Sequence, residues 1–259
     1  SVGGSLGAAL SPLWISWWLG SLGAKSTLTL LLVAGLIGIL LYIQAQQKVR
    51  PQHTSGVHSP SQTQQGQLAC LLMVVVGAMA RSWFQVSLTT YLPAWVQSNG
   101  GTLAQGSQML SIFLFAIGAG SLLGGIISDR IGASGPWLVV LISTVLLSPL
   151  FWVFLHASPW LQILALSLIG IAIGSSYPTN ILLAHDAWPQ QVGVASGLVM
   201  GIGWAPGGLG ASFTGYIADH ASLATGLHYL LVPPLLGILC ALAYRLFLNA
   251  QRTRNKISN

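Results

Sequence analysis

Long apolar runs constrain the fold of this chain more than any other feature. Eight such runs follow one another, at 1–22, 26–46, 67–97, 104–127, 136–155, 160–184, 192–218 and 225–248. A helix of about twenty apolar residues crosses the hydrocarbon layer of a bilayer. Inside that layer every backbone polar group needs a partner, and an α-helix provides one. The runs therefore predict an all-α membrane protein with eight transmembrane helices.

The composition supports this interpretation. Charged residues make up 5% of the chain and hydrophobic residues 53%, so a soluble domain would lack the polar surface that keeps it dispersed. The net charge of +6 therefore does not indicate a nucleic-acid partner. Cys70 and Cys240 lie in apolar runs, and neither they nor the histidines have the spacing of metal ligands. We expect the lipid bilayer as a partner, and no metal or cofactor.

One polar segment divides the chain. Residues 47–66 are rich in Gln, Ser, His and Pro, a composition typical of a linker between two bundles. The predicted organisation is therefore two helices at 1–46, a linker at 47–66, a six-helix bundle at 67–248 and a tail at 249–259.

Basic residues predict the orientation. Eight crossings place the linker, the turns at 128–135 and 185–191, and the tail on one side of the membrane. Most of the basic residues fall there: Lys48, Arg50, Arg130, Arg245, Arg252, Arg254 and Lys256. Lys25 falls on the other side. By the positive-inside rule, the linker and the tail are expected to be cytoplasmic.

A short internal repeat predicts a larger architecture. Gly-Gly-Ser-Leu-Gly-Ala at 3–8 in the first run resembles Gly-Gly-Leu-Gly-Ala at 207–211 in the seventh. A chance match between Gly-rich helices is the alternative. A repeat that recurs after six helices predicts two six-helix units, and the first unit would then lack four helices.

Small residues at helical spacing mark the seventh run. Two rows recur about every four residues: Gly193, Gly197 and Gly201, and then Gly203, Gly207, Ala211 and Gly215. Such rows let helix backbones approach closely in lipid. Pro206 frees a backbone carbonyl, which predicts a kink. The predicted packing residues of this kinked helix are Gly193, Gly197, Gly201, Pro206, Gly207 and Gly208.

Arg81 lies in the middle of the third run. A charged side chain there costs about 2.5–3.5 kcal/mol on insertion scales, and such residues almost always face a cavity or a partner. Gln85 and Thr89 follow at i+4 and i+8, on the same helix face. The three residues predict a hydrated pathway. The alternative is that Arg81 snorkels to an interface or bonds a carbonyl to hold the bundle together.

A polar patch interrupted by proline occupies 175–180 in the sixth run and includes Tyr177 and Asn180. Interrupted helices supply backbone ligands at membrane depth, although a simple helix end is the alternative here. Trp204 is a further candidate, because an indole ring can stack on a ligand. Most other tryptophans are expected in interfacial belts.

The segment GGIISDRIG at 124–132 resembles the Gly-x-x-x-Asp-Arg-x-Gly loop signature of major facilitator transporters. Gly125, Asp129, Arg130 and Gly132 match the signature, whereas Ala133-Ser134-Gly135 replaces the basic run that usually follows. The resemblance implies a twelve-helix fold of which this chain holds helices five to twelve. Because a carboxylate favours the positive end of a helix dipole, Asp129 is predicted to have a gating role, in which it latches the start of the seventh helix. The alternative is an ordinary polar helix end that contacts water.

Two further stretches, at 81–95 and 192–223, resemble the fosmidomycin-resistance branch of bacterial drug exporters. The resemblance implies a multi-pass inner-membrane transporter that exports a small molecule in exchange for protons by alternating access. Helices beyond this chain would be needed for function. No catalytic constellation is visible, so an enzyme is not expected. The alternative is an eight-span membrane scaffold that does not transport.

Overall fold

The computed structural model describes residue 38 and residues 64–257, all of them helical or in short turns. Eight α-helices follow in order: α1 (Gln64–Ser98), α2 (Leu103–Ile131), α3 (Gly135–His156), α4 (Pro159–Ala187), α5 (Val192–Met200), α6 (Ala205–His220), α7 (Leu223–His228) and α8 (Val232–Ile257). Short 3₁₀ turns, Pro189–Gln191 and Tyr229–Leu231, precede α5 and α8. The helices expected at 1–46 and nearly all of the linker lie outside the described residues.

Six segments of the described chain are long and apolar enough to cross a membrane: 66–98, 103–131, 135–156, 159–187, 189–220 and 223–250. They coincide with the last six predicted runs to within a few residues. The all-helical prediction is therefore confirmed for this part of the chain. The count of eight transmembrane helices is not confirmed, because the structure describes six.

Local turn chemistry separates the spans. Thr102 caps α2, since its hydroxyl accepts from the Gln105 backbone N–H at 3.2 Å and its own N–H donates to Gln105 Oε1 at 2.8 Å. At the other end of α2 the chain turns at Gly132, whose φ of 79° favours glycine. Pro159 begins α4, where the lack of an N–H has no cost.

The seventh predicted run forms two helices instead of one kinked helix. α5 ends at Met200, residues 201–204 form turns, and α6 begins at Ala205 with Pro206 in its first turn. Proline suits a first turn because the N–H it lacks would have no partner inside the helix. The prediction of a continuous helix with a kink at Pro206 is thus corrected, since Pro206 helps to start a new helix.

The backbones of α2 and α4 approach so closely that no side chain fits between them. A Cβ on Gly120 or Gly124 would overlap the backbone of Ile171 or Ser175 on α4. In the reverse direction, a Cβ on Gly174 would overlap the carbonyl of Ile117 on α2. The four-residue spacing of these glycines produces a row of small residues that permits the approach. This glycine seam was not predicted from the sequence.

The central helix of the described bundle is α1, which contacts α2, α4, α6 and α8. Phe84 of α1 packs edge-to-face on Phe151 of α3, with ring centroids 5.1 Å apart, inside a fully buried apolar cluster. A second cluster joins Leu71 of α1 to Ala184 of α4 and Ala195 of α5. Both clusters hold α1 in place. The polar face of α1, which carries Arg81 and Gln85, is therefore held in the interior of the bundle.

Candidate functional site

Arg81 lies on that polar face, and only 5% of its surface is exposed. Its guanidinium carbon sits 4.4 Å from the centre of the Tyr177 ring, a cation–π contact worth about 2 kcal/mol when desolvated. Neither Nε nor Nη1 has a hydrogen-bond partner among the residues that the structure describes. A buried donor without a partner carries a desolvation cost of about 1–3 kcal/mol, more when it is charged. The contact with Tyr177 therefore offsets only part of the cost of burying Arg81.

The acidic residues of this chain lie far from Arg81. The whole chain has three, Asp129, Asp186 and Asp219, each within three residues of the end of its helix and each exposed. Arg81 is 17 residues from both ends of α1, or about 25 Å at 1.5 Å per residue. Among the described residues, no acidic side chain therefore forms an ion pair with Arg81.

Tyr177 connects three elements around Arg81. Its hydroxyl donates to Gln85 Oε1 on α1 at 2.6 Å. Its ring stacks on Trp204, in the turn between α5 and α6, with centroids 5.8 Å apart and planes at 19°. The Trp204 carbonyl accepts from Ser82 Oγ at 3.1 Å, which fixes that turn on α1. The polar cluster, defined as Arg81, Gln85, Tyr177 and Trp204, extends from the interior to Trp204, which is 39% exposed.

Two other predicted pathway residues lie outside the polar cluster. Thr89 is half-buried two turns beyond Arg81, about 12 Å along the helix. Asn180 is buried and lines a separate cavity of about 20 Å³ with Gly77, Trp137 and Tyr244, large enough for one water molecule. Their roles in a pathway stay predictions.

The loop-signature residues lie at the end of α2. Asp129 and Arg130 are exposed, and Asp129 makes no hydrogen bond or ion pair with any residue of the described chain. Gly132 ends the helix, as its positive φ requires. Within the described residues, no atom lies within 4 Å of a Cβ built on Gly125. The proposed contact between Asp129 and the start of α5 stays a prediction.

The glycines of the seventh run divide into two groups. A Cβ on Gly207 would meet Ser82 and Val86 of α1, and a Cβ on Gly215 would meet the Tyr91 hydroxyl. Tyr91 also donates to the Ala211 carbonyl at 3.0 Å, so α6 lies directly on α1. A Cβ on the other four predicted packing glycines would contact no other helix of the described chain. A Cβ on Gly201 would meet only Gly197 of its own segment, and among the described residues a Cβ would have open space at Gly193, Gly197 and Gly208. Their packing role is not seen in the described part of the chain and stays a prediction.

Sequence reasoning missed two side chains that position the site. Ser82 holds the Trp204 turn, and the small residue Gly207 opposite it was the available signal. His185 Nε2 lies 2.6 Å from Ser196 Oγ and so joins the end of α4 to α5. No pattern along the sequence indicates that contact.

Comparison with known proteins identifies the family. A family model described as Major Facilitator Superfamily matches residues 1–212. The chain belongs to this superfamily. Membership agrees with a multi-pass membrane protein. It also agrees with the resemblance carried by the loop signature at 124–132.

Two relatives resemble the chain in sequence. The chain is 27% identical to the Fosmidomycin resistance protein of Escherichia coli over 246 residues, which cover 92% of this chain and 59% of that protein. It is 32% identical to the uncharacterized MFS-type transporter YfnC of Bacillus subtilis over 141 residues, 54% of this chain and 34% of YfnC.

A solved structure shows the same fold. The crystal structure of the MFS transporter FucP, in the outward conformation, superimposes with a TM-score of 0.65 at 17% identity, covering 85% of this chain and 55% of FucP. This chain thus spans a little more than half of the length of FucP and of the Escherichia coli relative.

Replacing Tyr177 tests the polar cluster on the isolated chain. Tyr177→Phe removes the hydroxyl bonded to Gln85 but keeps the ring beside Arg81 and Trp204, so we expect a loss of about 0.5–1.5 kcal/mol in unfolding free energy. Tyr177→Ala also removes both ring contacts and should cost clearly more. Denaturant unfolding of the purified chain in detergent measures both losses. Equal losses would show that the ring contributes nothing to holding Arg81.

Proposed function

We propose that these residues are helices five to twelve of a proton-coupled exporter that moves a small molecule across the bacterial inner membrane by alternating access. In this proposal the linker and tail are cytoplasmic, and two six-helix bundles rock around a central site. The similarity to the Fosmidomycin resistance protein supports export of a drug-like compound. Membership of a transporter family does not favour the alternative of a scaffold that does not transport.

The observation that carries the proposal is the buried charge of Arg81, which has no acidic partner among the described residues. An arginine inside a membrane span is energetically costly, and such residues typically line a transport pathway or pair with another group. Arg81 is midway along the central helix, which is the depth at which transporters of this kind bind their substrates. Trp204, which is 39% exposed, lies at the outer edge of the same cluster, and in this proposal the other bundle packs against that edge.

The chemistry of the polar cluster favours a substrate with a negatively charged group. A guanidinium presents a planar fork of donors that matches two oxygens of a carboxylate, phosphate or phosphonate. Nε and Nη1 of Arg81 have no partner in the described chain, so each is available as a donor to such an anion. The rings of Tyr177 and Trp204 would contact the apolar part of the same molecule.

Proton coupling requires a group that changes its protonation inside the pathway, usually a carboxylate or a histidine. The three aspartates and the histidines outside the linker lie at helix ends, and arginine stays protonated at physiological pH. We therefore place the coupling group in the helices that precede these residues in a full-length protein. There a facing carboxylate would pair with Arg81 until the substrate anion replaces it.

Drug accumulation in a host without its own exporters tests the proposal. A full-length form should lower accumulation of anionic compounds, fosmidomycin among them, and leave cationic compounds unaffected. The 259-residue chain alone should not lower the accumulation of either class of compound, because half of the pathway walls would be absent. Export by the isolated chain at the level of the full-length form would contradict the two-bundle proposal, and export of cations alone would contradict the role of Arg81.

A further inference from the structure

Two histidines far apart in sequence meet at one end of the bundle. His156 is the last residue of α3 and His228 the last residue of α7. Both side chains are exposed, and their ring centroids lie 5.5 Å apart with the planes at 72°. Trp152 stacks on His156 with centroids 4.7 Å apart, which holds that ring in place. The pair lies at the end of the spans opposite the linker, with the turns at 98–103 and 219–224.

Hydrogen bonds to the backbone determine which nitrogen of each ring is free. Nδ1 of His156 lies 2.9 Å from the Trp152 carbonyl oxygen, and Nδ1 of His228 lies 2.7 Å from the Ala224 carbonyl oxygen. A carbonyl oxygen only accepts, so Nδ1 carries the proton in both rings. In a neutral imidazole the lone pair is then on Nε2. Histidines that bind metals commonly have this arrangement, with one N–H donated to a carbonyl and the other nitrogen directed at the ion.

The distance between the rings suits one shared ion. Zinc binds imidazole nitrogen at about 2.0–2.1 Å, and a ring nitrogen lies roughly 1.1 Å from its ring centre. Two imidazoles on one tetrahedral ion therefore have their centres about 5–6 Å apart. The observed separation of 5.5 Å falls in this range.

We propose that His156 and His228 form a binding site for a divalent transition-metal ion, such as zinc or copper, through their Nε2 atoms. The described residues contain no group of three or more His, Cys, Asp or Glu side chains suited to hold one ion, so water completes the coordination. Binding joins the end of α3 to α7.

Zinc titration of the purified 259-residue chain, carrying no polyhistidine tag, tests the proposal by calorimetry. The reference protein carries His53→Ala and His58→Ala, which removes the two linker histidines as competing ligands. We expect one zinc ion per chain. His156→Ala or His228→Ala should each weaken binding at least about tenfold, because the remaining imidazole no longer acts within a chelate.

His220 provides the matched control. Its ring is exposed and its Nδ1 lies 2.8 Å from the Tyr216 carbonyl oxygen, as in the pair, but its ring contacts a tyrosine and no second imidazole in the described chain. His220→Ala should leave zinc affinity unchanged, and circular dichroism should show equal helix content in all variants. Absence of binding by the reference protein, unchanged affinity in His156→Ala or His228→Ala, or an equal loss in His220→Ala would overturn the site.

Discussion

Arg81→Ala in a full-length form is expected to reduce substrate efflux to the level of cells without the transporter, while the protein still inserts in the membrane. The change removes a charge that is costly at the centre of a span, so insertion becomes easier. It also removes the guanidinium that the substrate anion is proposed to bind, with Nε and Nη1 otherwise unpartnered in the described chain. Efflux rates at matched membrane levels measure the effect.

Two further variants show whether charge alone explains this loss. Arg81→Lys keeps the charge but lacks the planar fork, so it should restore efflux only in part. Arg245→Ala removes the same charge from a residue that lies over Trp137, 5.0 Å from its ring centre, near the end of the span at 223–250. That variant should transport normally. Normal efflux by Arg81→Ala, or an equal loss in Arg245→Ala, would reduce Arg81 to a structural residue.

Gly124→Ala is expected to destabilise the described bundle strongly. The added Cβ overlaps the backbone of Ser175, which cannot move without moving α4. Overpacking of a tight contact costs about 1–3 kcal/mol, and a contact with backbone belongs at the upper end of that range. The melting temperature of the purified chain in detergent should fall, and the yield of folded protein with it.

Gly125→Ala is the matched control for this seam. It adds the same methyl group one residue later on the same helix, where no described atom lies within 4 Å. Because alanine also favours helix over glycine, its melting temperature should stay the same or rise. If the two variants melted alike, α2 and α4 would not be in the close contact described.

The positions of the transmembrane helices follow from the sequence because the bilayer demands one long apolar run per crossing. The six described spans accordingly match the predicted runs. The packing of these helices against one another does not follow from the apolar runs. Glycines recur every four residues at Gly120 and Gly124 and again at Gly170 and Gly174, as they do in the seventh run. Periodicity identifies such rows, but only the fold determines which rows face each other.

Pro206 illustrates a second limit. Proline in an apolar run predicts a disturbance of the helix, but the same residue suits the first turn of a new helix. Local sequence does not distinguish these outcomes, because the hydrogen bond from Ser82 to the Trp204 carbonyl is a tertiary contact that holds the intervening turn.

The polar cluster was predictable to the extent that helix periodicity and residue type determine it. Gln85 shares a face with Arg81 because it follows at i+4. Tyr177 was a candidate because Pro178 predicted an interrupted helix; that interruption is wrong, since α4 continues through Pro178. Trp204 was a candidate because an indole ring can stack on a ligand. Thr89 lies on the same face but too far along the axis. Asn180 lies about one turn from Tyr177 on α4, but it lines a cavity separate from the polar cluster. One helix can contribute to two sites because α4 contacts several neighbouring helices.

Proton-driven uptake of an anionic substrate into inverted membrane vesicles tests the central claim, a proton-coupled exporter centred on Arg81, most directly. With an acidic vesicle interior, vesicles that contain the full-length form should accumulate the anion, and a protonophore should abolish accumulation. The variant with Asp186→Asn and Asp219→Asn should retain this gradient-driven uptake, since the coupling group is placed outside these 259 residues. Uptake that does not depend on the pH gradient would contradict proton coupling. Loss of coupling in the aspartate variant, with substrate binding intact, would contradict the proposed position of the coupling group.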